Sequence, residues 1–384
     1  MLPEALSNHW CSLVPGEDRG CLFAEMSFDA SGRKTAHHFG RGLMRSAARL
    51  TYEQAQAHHD EGTDPSGVAP GHIANLYGAF RALLTAREAR GTLELELPER
   101  RVTLDAAGNV AAITPRARLD SHRLIEEFMI AANVAAAEAL DGKPCLYRIH
   151  DRPSDAKLEG LRQFLESLGM ALPAVDRMLP RDFQRLLDQV EGKPEQRLVH
   201  ETILRAQSQA AYDPDNIGHF GLALPRYAHF TSPIRRYADL FVHRALLDAL
   251  PEGEAAHAKE IGDHITGTER RAAAAEREAV ERYLTAHMAG RVGCMFDARI
   301  SGVTRFGLFV TLVENGATGI IPLASLPDDR WQHDEARQAL TGRHTRLTFS
   351  LGAAVEVRLV EANARTGGMV FHIMQGVPSR KPAR

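Results

Sequence analysis

The stretch Gly218–Arg244, GHFGLALPRYAHFTSPIRRYADLFVHR, constrains what this chain can fold into more than any other. It opens on glycine and aromatic residues, turns at Pro225 and crosses a polar corner from Tyr227 to Ser232. Beyond the corner, Pro233 suits the first position of a helix, with Ser232 or Thr231 as its cap. Apolar Ile234, Leu240, Phe241, Ala245 and Leu246 then recur near helical spacing. This reading puts Arg235 and Arg236 in the first helical turn, beside outward-pointing backbone N–H groups, a setting that holds phosphate or another anion. Two adjacent arginines alone more often mark a solvated helix face. Here Tyr227, His229, Phe230, Thr231 and Ser232 surround them, and bases stack on rings while arginines hold the phosphodiester.

Composition does not oppose that reading. A chain of 384 residues has room for about two domains. Net charge is only −3, but it is unevenly spread: residues 291–384 carry 12 Lys and Arg against 8 Asp and Glu, and the rest of the chain 34 against 41. A basic C-terminal module on an acidic body is compatible with nucleic acid held in a local groove. The four cysteines, Cys11, Cys21, Cys145 and Cys294, form no CxxC pair, which points to reduced thiols and a cytoplasmic setting. No apolar run approaches 18 residues, so no membrane segment is expected.

Along the chain, Cys21–Phe28 and Lys34–Gly40 read as a hairpin turning at Asp29–Gly32. A polar loop is expected over His58–Gly71 and a helix over Ile73–Arg87. Leu93–Leu97, Arg101–Leu104 and Val110–Ile113 alternate like strands. A helix is expected over 121–140 with Ser121 as its cap. Others are expected at Asp155–Leu168, Pro180–Val190, Arg197–Tyr212 and Glu254–Met288. From Arg291 the texture changes to five short β-rich segments between glycine turns, which suggests an OB-type barrel.

Three segments carry a family resemblance: MLPEALSN at the start, SHRLIEEFMIAAN at 121–133 and YAHFTSPIRRYADL at 227–240. They resemble the signature of the ribonuclease II and ribonuclease R (RNB) family of 3′-to-5′ exoribonucleases. RISGVTRFGLFVTL at 299–312 resembles the S1 RNA-binding domain that follows the catalytic domain in that family. The resemblance implies an α+β fold. It consists of a helix-rich RNB-type catalytic domain over 1–288, lacking its N-terminal metal-binding part, then an OB-type S1 barrel over 290–375. A disordered basic tail is expected over 376–384.

The resemblance also implies site residues. Arg235 falls at the arginine placed on a phosphate near the scissile bond, where a fixed guanidinium stabilises developing charge. Tyr52 falls at a tyrosine that packs against the terminal nucleotide. Glu126 and Glu127 fall at a carboxylate pair of which one contacts the terminal ribose; adjacent helix residues diverge by about 100°, so at most one faces the site. Glu127 is assigned to catalysis with Arg235 and Tyr52. Glu126, Tyr227, His229, Ser232, Arg236 and Glu276 are assigned to RNA contact. In the barrel, Phe306 and Phe309 stand where exposed aromatics stack on bases, although strand neighbours this close can split between faces. Gly319–Ala324 departs from the common S1 pattern in having Pro322 and Ala324, which weakens the case for RNA contact from that strand.

Family chemistry is metal-assisted phosphodiester hydrolysis with Mg²⁺ held by clustered aspartates. That cluster belongs to a DxDD-type segment upstream of the MLPE motif, and no such motif occurs in this sequence. Asp60, Asp64, Asp213 and Asp215 stand in loop-like contexts, and His37-His38 and His58-His59 lack the i,i+4 spacing of zinc hydrolases. The sequence-based expectation is therefore the RNA-holding part of an exoribonuclease. Its partner is single-stranded RNA with a free 3′ end, and the upstream segment of the same domain is a second partner. The alternative is a protein that binds single-stranded RNA without cleaving it.

Overall fold

The computed structural model describes residues 1–95, 100–115, 117–193, 195–335 and 337–376. Strands β1 (Asp18–Phe28) and β2 (Lys34–Arg45) form an antiparallel hairpin. Helices α1 (Tyr52–Glu61) and α2 (His72–Arg90) follow, then a second hairpin, β3 (Arg100–Leu104) and β4 (Val110–Pro115). Next come α3 (Asp120–Ala139), β5 (Tyr147–Ile149), α4 (Asp155–Ser167), α5 (Pro180–Val190) and α6 (Gln196–Ala206). Strand β6 (Ala211–Asp213) returns to pair with β5, and α7 (Tyr237–Leu246), α8 (Glu252–Ala256) and the 32-residue α9 (Ala258–Ala289) complete the helical part.

The C-terminal part is a closed barrel in the order β13-β14-β9-β8-β7, from β7 (Met295–Thr304), β8 (Gly307–Leu312), β9 (Thr318–Pro322), β13 (Ala354–Asn363) and β14 (Gly368–Gly376). These are the five segments whose alternation suggested a barrel. Between β9 and β13 the chain adds a three-stranded sheet, β10 (Trp331–Asp334), β11 (Ala339–Gly342) and β12 (Thr348–Ser350), which the sequence pattern did not reveal. The mixed α/β fold, helical part then barrel, is the one expected.

Helix α3 organises the first half. Its Ala132, Ala136, Ala137 and Leu140 pack in one buried cluster with Tyr147, Ala228, Phe230 and Val242, against which Leu22, Ala24, Met26 and Phe39 of the first hairpin lie. Small residues let the hairpin approach the helix closely. A second, larger cluster joins Leu158, Phe183, Leu186, Val199 and Ile203 of α4–α6 to Phe296, Ile300, Leu308 and Val357 of the barrel. Helical layer and barrel thus share one apolar core.

Several expected boundaries move. Helix α3 is capped by extended Leu119, not Ser121, which lies buried inside the first turn. The helix expected to run to Tyr212 ends at Ala206, because Tyr212 is needed in β6, where its N–H donates to Thr266 Oγ1 of α9 at 2.9 Å. Gly262 lets α9 cross there, since a Cβ would fall 2.6 Å from the Tyr212 carbonyl oxygen. His58 belongs to α1 rather than to a loop. Leu93–Leu95 form no strand, and the rest of that expected strand, like tail residues 377–384, lies outside the described residues. Cys11, Cys21, Cys145 and Cys294 are free thiols, and burial pushes the Cys145 thiol up to about 12.

Because α6 and the barrel share a core, Ile203→Ala should cost about 2–5 kcal/mol and lower the urea midpoint of both parts together. Far-UV circular dichroism reports the helices, and Trp331 fluorescence in a Trp10→Phe background reports the barrel side. Separate midpoints would show that the two parts unfold independently.

Candidate nucleic-acid interface

The residues from Ser232 to Arg236 form a turn, and helix α7 begins only at Tyr237. The expected helix start at Pro233, with both arginines in the first turn, is therefore corrected. The cause is Asp239, whose side chain is fully buried. Its Oδ1 accepts from the Ser232 backbone N–H at 2.6 Å and from Arg236 Nη2 at 2.8 Å, and its Oδ2 accepts from Arg236 Nε at 2.8 Å. The carboxylate thus closes the turn onto the helix and takes both prongs of the Arg236 fork, a strong charge-assisted arrangement. The Ser232 carbonyl oxygen accepts from the Arg235 and Arg236 N–H groups, and Leu2 N–H donates to the Ile234 carbonyl oxygen at 2.8 Å. Arg235 is left exposed, and among the described residues its guanidinium makes no hydrogen bond or ion pair. Adjacent arginines are thereby divided: Arg236 builds the turn and Arg235 is presented by it.

The polar corner before the turn is fixed from α3. Asn133, buried, accepts from the Phe230 N–H through Oδ1 at 2.8 Å and donates through Nδ2 to the Tyr227 hydroxyl at 2.9 Å. Tyr227 is buried, so its ring belongs to the scaffold rather than to a surface that could stack on a base. His243 Nε2 lies 2.7 Å from the Phe230 carbonyl oxygen. His229 is half-buried with Nδ1 2.8 Å from the Tyr212 hydroxyl, and the Arg148 guanidinium lies over the Tyr212 ring while forming a two-pronged pair with Glu269. Burial, with Arg236 and Arg148 nearby, pulls the His229 pKa down to about 2. Burial beside His150 pulls His219 down to about 3. Both imidazoles are neutral in the folded chain, so positive charge at the site comes from the arginines.

Asn133 shares a face of α3 with His122 and Glu126, at helical spacings of four and seven residues. Nδ1 of His122 accepts from the Leu119 N–H at 3.2 Å, fixing the ring. The exposed Tyr52 ring stacks on His122 with centroids 4.1 Å apart and planes 21° from parallel. A capping box between Thr51 and Gln54 starts α1 at Tyr52, and Gln56 Oε1 accepts from the Ser121 N–H and the Tyr77 hydroxyl, tying α1 to α2 and α3. Glu126 is exposed and paired with Arg118 at 2.7 Å. Glu127 points elsewhere: it is buried, with Oε1 accepting from Arg87 Nη1 at 2.5 Å. From His122 to Asn133 the helix rises about 16 Å, so one helix face aligns Tyr52, Glu126 and the Arg235 turn.

The remaining expected residues are scattered. Glu276 lies on a stretch of α9 exposed all round, and no contact among the described residues ties it to the turn. Phe306 and Phe309 are both exposed, Phe306 with the Arg305 guanidinium over its ring at 4.7 Å, while Leu308, Val310 and Leu312 fill the barrel. The reading that one of the two phenylalanines could be core is settled by the register: Phe309 lies opposite Gly302 on the outer face. Asn133, His122, Asp239 and Tyr212 were not singled out from the sequence. A buried asparagine on the α3 stripe and an Asp three residues after Arg236 were the available signals. Among the described residues no group of three or more His, Cys, Asp or Glu side chains is placed to hold a metal ion, so they do not fit the Mg²⁺ that the family chemistry implies. No helix among them is long and apolar enough to cross a membrane.

With a turn that presents one free arginine, a helix face that carries ring and carboxylate, and an aromatic-bearing barrel, the architecture is that of an RNB domain followed by an S1 domain. The family model for the RNB domain matches residues 1–252 and that for the S1 RNA binding domain residues 291–373; the chain belongs to the RNB family. Within that family it is similar to ribonuclease R. The Aquifex aeolicus ribonuclease R is 40% identical over 98% of this chain and 55% of its own length, and that of Escherichia coli is 38% identical over 94% and 47%. The chain thus spans about half the length of the curated relatives it matches. A Mycoplasma genitalium RNase R in complex with ribose methylated single-stranded RNA superposes with a TM-score of 0.92 at 26% identity, covering 97% of this chain and 60% of that one. Yeast Ssd1, described as a pseudonuclease, shares the fold at TM-score 0.66 and 19% identity, covering 88% of this chain and 43% of that one.

The buried imidazoles give the corner a pH dependence of definite sign. An unfolded histidine takes a proton near pH 6.5, whereas His229 and His219 in the folded chain do so only near 2 and 3. Their contribution to stability is full above about pH 6.5 and declines as pH falls, by about 1.4 kcal/mol per unit for each group. The urea midpoint should fall between pH 7 and pH 5, with a smaller slope in His229→Gln. A flat profile over that range would contradict the assignment.

Proposed function

We propose that this chain acts in 3′-to-5′ degradation of single-stranded RNA to nucleoside monophosphates, and that its own part is to hold the 3′ end. The observation that carries the reading is the Arg235 guanidinium, held out by the Asp239-closed turn with no hydrogen-bond or ion-pair partner among the described residues. A phosphodiester oxygen is the acceptor its geometry suits. Tyr52 offers its ring to the terminal base, and Glu126, on the same face of α3, is the carboxylate for the terminal ribose. Glu127, spent on Arg87, supports the helix rather than the substrate. His229, Tyr227, Ser232 and Arg236 shape the corner. Phe306 and Phe309, with Arg305, form a stacking platform for upstream nucleotides. Glu276 is a peripheral contact at most.

Hydrolysis in this family uses Mg²⁺ as the source of an activated water and as a clamp on the leaving oxygen. Among the described residues no cluster of carboxylates is placed to hold that ion. The reading extends to a supply of the metal-binding carboxylates by RNB sequence outside residues 1–384. The second reading, RNA holding without cleavage, is favoured by the same donor set.

Arg235→Ala should weaken binding of a short single-stranded RNA with a free 3′ end about 10- to 100-fold, as expected for a charge-assisted contact of about 1.5–3 kcal/mol. Arg235→Lys should restore only part, because Lys lacks the fork. Equal affinities in a fluorescence titration would sink the assignment. Labelled RNA incubated with the 384-residue chain and Mg²⁺ should remain full length; stepwise shortening would place a metal site among these residues.

A further inference from the structure

A cavity of about 440 Å³ lies on the flank of α3, between that helix, the C-terminal half of α2 and the tip of the β1–β2 hairpin. It is separate from the RNA-facing side of α3: Glu127, on its wall, is roughly 140° around the helix from His122. Its body is apolar, formed by Phe28, Leu83, Ile130, Val134 and Leu224 with small alanines between them. The hairpin tip is seated firmly, since Gly32 at φ +75° comes so near α2 that a Cβ would lie 2.0 Å from the Ala82 carbonyl oxygen. A wall held this closely makes the cavity a preformed feature of the fold, and its volume is in the range of small-molecule sites.

One end is charged in an unbalanced way. Arg90 lines the cavity and donates through Nε to the Leu222 carbonyl oxygen at 2.9 Å. Its Nη2 is buried and has no acceptor among the described residues. Burial pulls the Arg90 pKa down, offset in part by the Glu127 carboxylate and added to by the Arg87 guanidinium. The nearby carboxylate, Glu127, is taken at 2.5 Å by Arg87, which also approaches Glu94 at 3.4 Å. The two cations at the rim have partners, Arg33 with Asp29 and Lys34 with Glu138. Among the described residues of the cavity wall, Arg90 is left with a donor to offer a bound acceptor, because a buried donor without one is unfavourable.

We propose that this cavity binds a small anion with an apolar body, its acidic head on the Arg90 guanidinium and its body along Phe28, Leu83 and Ile130. A short fatty carboxylate has that chemistry, and the site is independent of the RNA-holding face. Isothermal titration of the full chain with octanoate and with inorganic phosphate separates the part of the apolar body from that of the acidic head. Octanoate should bind at least 10-fold tighter than phosphate. Arg90→Met should weaken octanoate at least 10-fold, and Ala131→Phe, which fills the cavity from the α3 wall, should remove its binding while single-stranded RNA affinity stays unchanged. If Arg90→Met fails to fold, Ala131→Phe alone decides. Absence of octanoate binding, or binding indifferent to Ala131→Phe, would overturn the proposal.

Discussion

A single buried carboxylate sets the geometry on which the candidate site depends. Asp239, in the first turn of α7, receives the Ser232 N–H and the Nε and Nη2 of Arg236. Burying a charge is costly unless it is paired and hydrogen-bonded, and three donors meet that requirement here. The consequence is directional. With Arg236 committed inward and the Ser232 carbonyl oxygen occupied by two amides, Arg235 is the side chain the turn can offer to solvent. Arg235 is thus presented from a turn ahead of the helix, not from the helix's first turn.

Helix α3 performs the complementary task. Its small residues bring the first hairpin close, and Asn133 reaches across to fix Tyr227 and Phe230 ahead of the turn. Its exposed face carries His122 under Tyr52 and then Glu126. Its flank carries Glu127 and the cavity beside Arg90. The adjacent carboxylates Glu126 and Glu127 therefore have different surroundings, solvent and Arg118 for one, a buried guanidinium for the other.

Much of this was legible in the sequence where periodicity and turn chemistry act locally. The first hairpin, α2, α5 and the five barrel strands follow from alternation, capping and glycine turns, and the motif around Ser232–Arg236 pointed to the segment whose turn exposes Arg235. Long-range contacts were not legible. Pro233 and Ser232 form a good local helix start, and Asp239 overrides it from seven residues away. Tyr212 reads as the end of a helix until α9 supplies Thr266 and Gly262 as its neighbours. Tyr227 looks like a stacking ring until Asn133 is seen holding its hydroxyl. The sheet β10–β12 has short strands rich in charged and polar residues, with too little alternation to declare itself.

The central claim is that Asp239 creates the RNA-holding geometry by fixing the turn that presents Arg235. The direct test is the affinity of single-stranded RNA with a free 3′ end for Asp239→Asn, with folding followed by circular dichroism. The near-isosteric amide keeps the volume but not the charge that holds Arg236. The account predicts a folded chain that binds at least 10-fold more weakly, and no further loss when Arg235→Ala is added. A folded Asp239→Asn chain that binds RNA as the wild type does would contradict it.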